Sequence, residues 1–135
     1  MKPFYITTPL YYVNDKPHLG SAYSTVEADV LTRYNKLFGR STHMLTGVDE
    51  HGQKVEQAAK ARGKTPQDHC DELAQVFQKA WHELNIKEDV FFRTTDDFHK
   101  KAVQQILQEL WDSGEIYEDT YEGWYCVSEE IFYTD

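Results

Sequence analysis

The order of apolar patterns near the N-terminus is the feature that most constrains the fold. Phe4–Thr8 is a run of aromatic and β-branched residues, typical of a buried strand, and Pro9 is expected to end it. Between Gly20 and Gly39, apolar residues recur every three or four positions, which predicts a helix. A second strand is expected at His43–Gly47. Strand, helix and strand in this order predict an α/β fold built on a right-handed βαβ unit with parallel strands. The apolar positions of the helix are Tyr23, Val26, Val30, Tyr34 and Leu37.

The loops that follow the two strands are the places where function is expected. In a βαβ unit both strands end at the same edge of the sheet, and ligands bind beyond that edge. Residues 9–20, most of them predicted as loop, should therefore lie beside residues 47–52.

The rest of the chain is predicted to be mainly helical. The expected elements are a helix at Gln53–Arg62, a helix from Pro66 capped by Thr65, a strand at Val90–Arg93, a helix capped by Thr95, and hairpin strands around Glu122-Gly123. An apolar stripe on the second of these helices is expected to be core; it comprises Cys70, Leu73, Phe77, Ala80, Trp81 and Leu84. His43, His69, His82 and His99 show no partner pattern and are predicted at surface or strand positions.

Charge and cysteine content exclude several classes of protein. The net charge of -9 is uneven, because residues 1–65 carry 6 acids against 9 Lys/Arg, whereas residues 66–135 carry 17 against 5. The basic part suits a polyanion such as ATP or RNA. Apolar runs are too short to span a bilayer, and the 2 cysteines cannot build a disulfide scaffold. We therefore expect a cytoplasmic protein that does not contact a membrane. DNA is not expected as a partner.

The segment Pro17–Ser21 has the composition of a phosphate site. It lies where a loop becomes a helix, and the N–H groups at a helix N-terminus attract phosphates. His18 can donate to a phosphoryl oxygen, and Gly20 lets a base or phosphate approach the backbone. A glycine turn with a surface histidine is the alternative that the motif alone leaves open.

The segment Thr46–Gly52 has complementary chemistry. It holds Asp49, Glu50 and His51 between two glycines, directly after the second strand. A carboxylate at that position suits an ammonium group and repels a phosphate. A metal site is the competing interpretation, since all three side chains can be ligands, although adjacent residues rarely all face one ion.

Together these segments resemble the methionyl-tRNA synthetases. The segments that carry the resemblance are Tyr5–Asn14, Pro17–Gly20, Leu45–Lys54, Arg93–Asp96 and Tyr121–Cys126, so that it extends over nearly the whole chain. The His-x-Gly-x element is similar to the HIGH signature of class I synthetases, except that Ser21 stands at its fourth position. The Thr-Pro-Leu-Tyr-Tyr and Asp-Glu-His-Gly elements narrow the resemblance to methionine.

The resemblance implies a role for each matching residue. Methionine would contact Pro9, Leu10, Tyr12 and Asp49, with Asp49 on the ammonium group. ATP would contact His18, Gly20, Ser21, His51 and Gly52, and the first three of these would be catalytic. These residues would activate methionine as methionyl-adenylate, with ATP and Mg²⁺ as substrate, before transfer to tRNA(Met).

The resemblance also implies a domain organisation. Residues 1–115 would form the first half of a Rossmann-type nucleotide-binding domain, and residues 116–135 the start of a connective insertion. Family members often have Cys-x-x-Cys after Gly-Trp-Tyr, but this chain has Cys126-Val127-Ser128-Glu129, so no zinc or other metal ligand set is expected. The KMSKS segment of the family is absent from this sequence. A non-catalytic nucleotide-binding fragment, a leucine or cysteine synthetase and a small nucleotidyltransferase are therefore the alternatives.

Overall fold

A computed structural model describes residues 1–133 as two compact units, one ending at Thr95 and the other beginning at Asp96. The elements of the first unit are β1 Phe4–Tyr12, α1 Leu19–Leu37, β2 Thr42–Asp49, α2 Gln53–Ala61, α3 Pro66–Glu83 and β3 Val90–Arg93. The elements of the second unit are α4 Asp97–Asp112, β4 Trp124–Cys126 and β5 Ile131–Tyr133. The domain boundary predicted between residues 115 and 116 stays a prediction.

A three-stranded parallel sheet in the order β1-β2-β3 forms the centre of the first unit. The parallel βαβ arrangement and the α/β class predicted from the sequence are thereby confirmed. Gly47 of β2 is required here, since a Cβ at this position would lie 2.0 Å from the carbonyl oxygen of Phe92 in β3. A side chain at position 47 would push the two strands apart.

The first strand is longer than the sequence predicted, because Pro9 does not end it. The register with β2 shifts between Thr7 and Leu10, so the proline sits in an irregularity where its missing N–H is tolerated. Leu10 and Tyr12 therefore lie on a strand, where the sequence predicted a loop. β2 likewise runs to Asp49, two residues beyond the predicted end.

The core lies between the sheet and α3. The predicted apolar stripe of α3 is buried at Cys70, Leu73, Phe77 and Trp81, whereas Leu84 is exposed. Thr65 caps this helix as predicted, with its hydroxyl accepting from the Asp68 N–H at 3.1 Å. The Phe77 ring of α3 stacks on Tyr11 of β1, and the Trp81 ring packs edge-on against both of them.

The prediction that His69 lies at a surface or strand position is wrong. Its side chain is fully buried in α3, and Nε2 lies 2.6 Å from the carbonyl oxygen of Val13, at the end of β1. Arg62 donates to the other ring nitrogen at 3.0 Å. The ring therefore carries its proton on Nε2 and donates it to Val13, which ties α3 to the loop after β1. The contact joins residues 56 positions apart, so local sequence patterns give no sign of it.

The first helix, α1, buries its polar face. Five of its six buried residues are polar; the six are Ser21, Thr25, Ala28, Asp29, Thr32 and Asn35. Threonine hydroxyls of this face donate hydrogen bonds to backbone carbonyl oxygens one turn earlier, as Thr25 does to Ser21 at 2.8 Å. Thr25 also contacts the Tyr11 hydroxyl at 2.9 Å. The apolar stripe of the helix is correspondingly exposed at Tyr23, Val30 and Leu37.

Two details of the second unit correct the sequence predictions. The cap residue of α4 is Asp96, and Thr95 instead donates its hydroxyl to Glu50. The predicted hairpin exists, but its strands β4 and β5 are joined at residues 127–130 and not at Glu122-Gly123. Glu130 adopts a φ of 55° at this turn. Within residues 1–133, no helix is long and apolar enough to cross a membrane.

Candidate functional site

The ends of β1 and β2 lie next to each other, as the sequence predicted. Tyr12 is the register partner of Asp49, and the Val13 N–H donates to the Asp49 carbonyl oxygen at 3.3 Å. Leu10 is paired with Gly47, and Pro9 is exposed at the strand irregularity. The two predicted methionine contacts Tyr12 and Asp49 therefore come from neighbouring strands at one edge of the sheet.

The N-terminus of α1 is closed by a capping box. The imidazole Nδ1 of His18 accepts from the Gly20 N–H at 3.0 Å, while the His18 N–H donates to Ser21 Oγ at 3.1 Å. Because Nδ1 is the acceptor, the proton of the neutral ring is on Nε2. The ring is exposed, so this N–H is available to an anion beside the helix N-terminus.

A side chain at position 20 would meet the His18 ring. A Cβ at position 20 would lie 2.9 Å from Cε1 of His18 and 3.1 Å from Nδ1. The missing side chain thus makes room for the cap. Ser21 is buried, and its hydroxyl completes the cap from the other side.

Three of the predicted residues, Tyr12, His18 and Ser21, line one cleft of about 210 Å³. The remaining lining residues are Tyr11, Asn14, Asp15, Lys16 and Phe77. The loop between β1 and α1 supplies half of the lining residues, among them one lysine and one acid. The cleft therefore offers aromatic surface and hydrogen-bond donors at the positive end of a helix.

Asp49 is half-buried and is held by long hydrogen bonds. Its Oδ1 accepts from the His51 N–H and from the Thr94 hydroxyl, both at 3.4 Å. The His51 ring is exposed, with Nε2 3.3 Å from the Thr94 carbonyl oxygen. Gly52 has a φ of 106°, a backbone conformation that suits glycine, and it begins α2 without a side-chain cap.

Glu50 points away from this edge, into the protein, although the sequence offered it only as a candidate metal ligand. Its side chain is 0% exposed. One carboxylate oxygen lies 2.8 Å from Nε of Arg93, and the other accepts from the Thr95 hydroxyl. The partners are 43 and 45 residues away in the chain, so no local motif could reveal them. Glu50 is therefore a structural acid, and Asp49 is the acid at the edge.

Arg93 is shared between two carboxylates. Its Nε faces Glu50 and its terminal nitrogen lies 2.5 Å from Asp71 of α3. Burial lowers the pKa of the guanidinium, but hydrogen bonds to Asp71 and Glu50 outweigh this and leave the pKa raised. The hydrogen bond from Arg93 in turn lowers the pKa of Asp71. Arg93 and Asp71 therefore stay charged over the ordinary pH range.

The two cysteines have different surroundings. Burial raises the pKa of the Cys70 thiol to about 11, so the group stays protonated and is a poor nucleophile. In residues 1–133, no three His, Cys, Asp or Glu side chains form a group that could hold a metal ion. Cys126 contacts the Ser128 hydroxyl at 3.1 Å. That donor set does not fit the zinc site of the family.

Comparison with known proteins gives consistent matches. The family model described as tRNA synthetases class I (M) matches residues 4–135. The methionine–tRNA ligase of Fusobacterium nucleatum is 55% identical over 134 residues, 99% of this chain and 21% of its own length. That of Thermotoga maritima is 52% identical over 132 residues, 98% of this chain and 21% of its own length.

A solved structure agrees with these matches. Mycobacterium tuberculosis methionyl-tRNA synthetase in complex with methionyl-adenylate superposes with a TM-score of 0.94 at 41% identity, covering 100% of this chain and 26% of that one. The chain thus spans about a fifth of the length of the curated relatives it matches. The matched relatives are methionine–tRNA ligases, which favours the methionyl family over the leucine and cysteine synthetases. On sequence and fold together, the chain belongs to the methionyl family of class I tRNA synthetases.

Proposed function

We propose that this chain supplies the N-terminal part of the catalytic site of a methionine–tRNA ligase. The observation that carries the proposal is the pairing of Tyr12 with Asp49, beside the capped N-terminus of α1. A carboxylate and an anion-binding helix end are thereby set next to each other. Methionine and ATP need these two groups, since the first carries an ammonium group and the second a triphosphate.

On the methionine side, Asp49 binds the ammonium group. A half-buried carboxylate gives a charge-assisted hydrogen bond that is stronger than one in water. The rest of the amino acid contacts β1, the strand next to β2, through Pro9, Leu10 and Tyr12.

On the ATP side, His18 donates its Nε2–H to a phosphoryl oxygen. The N-terminus of α1 adds positive potential, with Gly20 and Ser21 in its first turn, and His51 and Gly52 contact the adenosine. The methionine carboxylate attacks the α-phosphorus of ATP, and the bond to pyrophosphate breaks. No protein nucleophile is needed, so the side chains act by positioning and by stabilising charge. Mg²⁺ enters with ATP as part of the substrate and neutralises phosphate charge.

The remaining features of the proposal concern the whole ligase, which transfers methionine to tRNA(Met). Residues 1–115 are the first half of the Rossmann-type catalytic domain, and residues 116–135 begin the connective insertion. The ligase is cytoplasmic, and this segment binds no zinc.

The proposal is tested by Asp49→Ala in the complete ligase that carries this segment, with Glu83→Ala as a control in an exposed pair with Lys79. Methionine-dependent exchange of pyrophosphate into ATP is measured. We expect the KM for methionine to rise by a factor equivalent to several kcal/mol, and the KM for ATP to change far less. Methionine binding that stays within about threefold, roughly 0.6 kcal/mol, would contradict the proposal.

A further inference from the structure

Asp49 and Glu50 are adjacent in sequence but have opposite environments. Asp49 is half-buried at the edge of the sheet, whereas the Glu50 side chain is 0% exposed. A buried carboxylate without a cation is costly, and here Arg93 supplies that cation at 2.8 Å. The charge of Glu50 is therefore compensated inside the protein, and that of Asp49 is left at the edge.

The residue Glu50 is held at both its side chain and its backbone. Its carboxylate contacts Arg93 and Thr95 at the end of β3. Its N–H donates to the Thr94 hydroxyl at 2.9 Å, and its carbonyl oxygen accepts from the Cys70 thiol at 3.7 Å. Two elements, β3 and α3, therefore fix the position of one residue in the loop after β2.

The hydroxyl of Thr94 links this anchor to Asp49. It accepts the Glu50 N–H, so that its own proton is available for Asp49 Oδ1, 3.4 Å away. Thr94 is itself buried, which restricts its rotation. Displacement of Glu50 would therefore move the backbone of Asp49, which directly precedes it. It would also move the Thr94 hydroxyl, which orients the Asp49 carboxylate.

We propose that Glu50 and Arg93 are a positioning pair, which fixes the loop after β2 so that Asp49 meets the methionine ammonium group. This inference rests on the proposed role of Asp49. Neither Glu50 nor Arg93 touches the substrate. Their effect falls mainly on methionine, because the cap of α1, which holds the phosphates, is made within residues 18–21. His51 and Gly52, which follow Glu50 in the loop, make only the adenosine contact.

The test uses Glu50→Gln in the complete ligase, which keeps the size of the side chain and removes its charge. We expect the KM for methionine in pyrophosphate exchange to rise at least tenfold, with the KM for ATP within threefold. Asp71→Asn is the matched control, because Asp71 contacts a different nitrogen of Arg93 from Glu50, and its other hydrogen bond is to Gln67 of its own helix. It should change neither constant more than twofold. An equal rise of both constants in Glu50→Gln would show general damage and overturn the inference.

A double-mutant cycle separates positioning from independent binding. If Glu50 acts through Asp49, adding Glu50→Gln to Asp49→Asn should cost less than a further threefold in kcat/KM for methionine. Multiplying effects would overturn the inference while leaving the proposed function intact. An Asp49→Asn variant with an unchanged KM for methionine would instead contradict the proposed function.

A second pair of variants covers the case in which Glu50→Gln fails to fold. Thr94→Val removes the linking hydroxyl at nearly constant shape, and Thr94→Ser retains it. We expect the valine variant to raise the KM for methionine about fivefold and the serine variant to stay within twofold of the wild type. Equal values for the two variants would overturn the inference.

Discussion

The two sides of the candidate site are built in different ways. The cap at the N-terminus of α1 uses contacts two and three residues apart, from His18 to Gly20 and to Ser21. The end of β2 that carries Asp49 is held through Glu50 by partners 20 to 45 residues away. The phosphate side is thus encoded locally and forms with its helix. The methionine side exists only when β3 and α3 have packed against β2.

The largest expected effect concerns both sides at once. The isolated chain spans about a fifth of its relatives, and we expect it to bind ATP weakly and to show no methionine-dependent pyrophosphate exchange. Each missing charge-stabilising contact costs about 10²–10³ in rate, so several together put turnover below detection. Robust exchange by the purified chain, abolished by His18→Ala, would contradict this. It would show that the two sides of the site are sufficient for methionine activation.

Gly47→Ala should break the methionine side through the sheet. Its Cβ would lie 2.0 Å from a backbone oxygen of β3, which cannot yield as a side chain can. We expect the free energy of unfolding in urea to fall by roughly 3 kcal/mol, the upper end of overpacking costs. Gly123→Ala is the control, since its nearest contact would be a tyrosine side chain at 3.4 Å. Equal losses in the two variants would contradict the argument.

Gly20→Ala should disturb the phosphate side alone. The new Cβ displaces the His18 ring, whose loss as a cap costs about 1 kcal/mol, while alanine returns a similar amount to the helix. We therefore expect nearly unchanged stability, a KM for ATP about tenfold higher and a KM for methionine within threefold in the complete ligase. His18→Asn keeps a cap acceptor without the Nε2–H, and should show the same split. A rise in the KM for methionine would mean that the two sides are coupled.

The smallest effect is a pH dependence on the methionine side. The unfolded Cys70 thiol ionises near 9.0 but the folded one near 11, so its stabilising contribution is complete below pH 9 and is lost as the pH rises towards 11. At pH 10 the loss is about 1.4 kcal/mol. Urea unfolding of the wild type and of Cys70→Ala between pH 8 and 10.5 measures it as the difference between the two slopes. Equal dependence of the unfolding free energy on pH in the two proteins would contradict the raised pKa of Cys70.

The same contrast explains how far sequence reasoning reached. The βαβ order, the parallel sheet and the cap at Thr65 follow from local periodicity and cap chemistry, and they are confirmed. The roles of Glu50 and His69 depend on partners that become neighbours only after folding, so no pattern near either residue could predict them. Pro9 shows a third case, in which a local rule ends a strand but a register shift absorbs the proline.

The long-range anchor of Glu50 also sets an order of events during synthesis. The chain leaves the ribosome at roughly 5–20 residues per second, and the residue that closes the anchor, Thr95, follows Glu50 by 45 positions. All the residues of the helix cap at His18 are made before Glu50. For roughly 2–9 seconds the nascent protein therefore carries the residues of the helix cap together with a glutamate whose carboxylate partners have not both been made. Translation speed between these two codons governs how long that half-built state is open to misfolding and to chaperones.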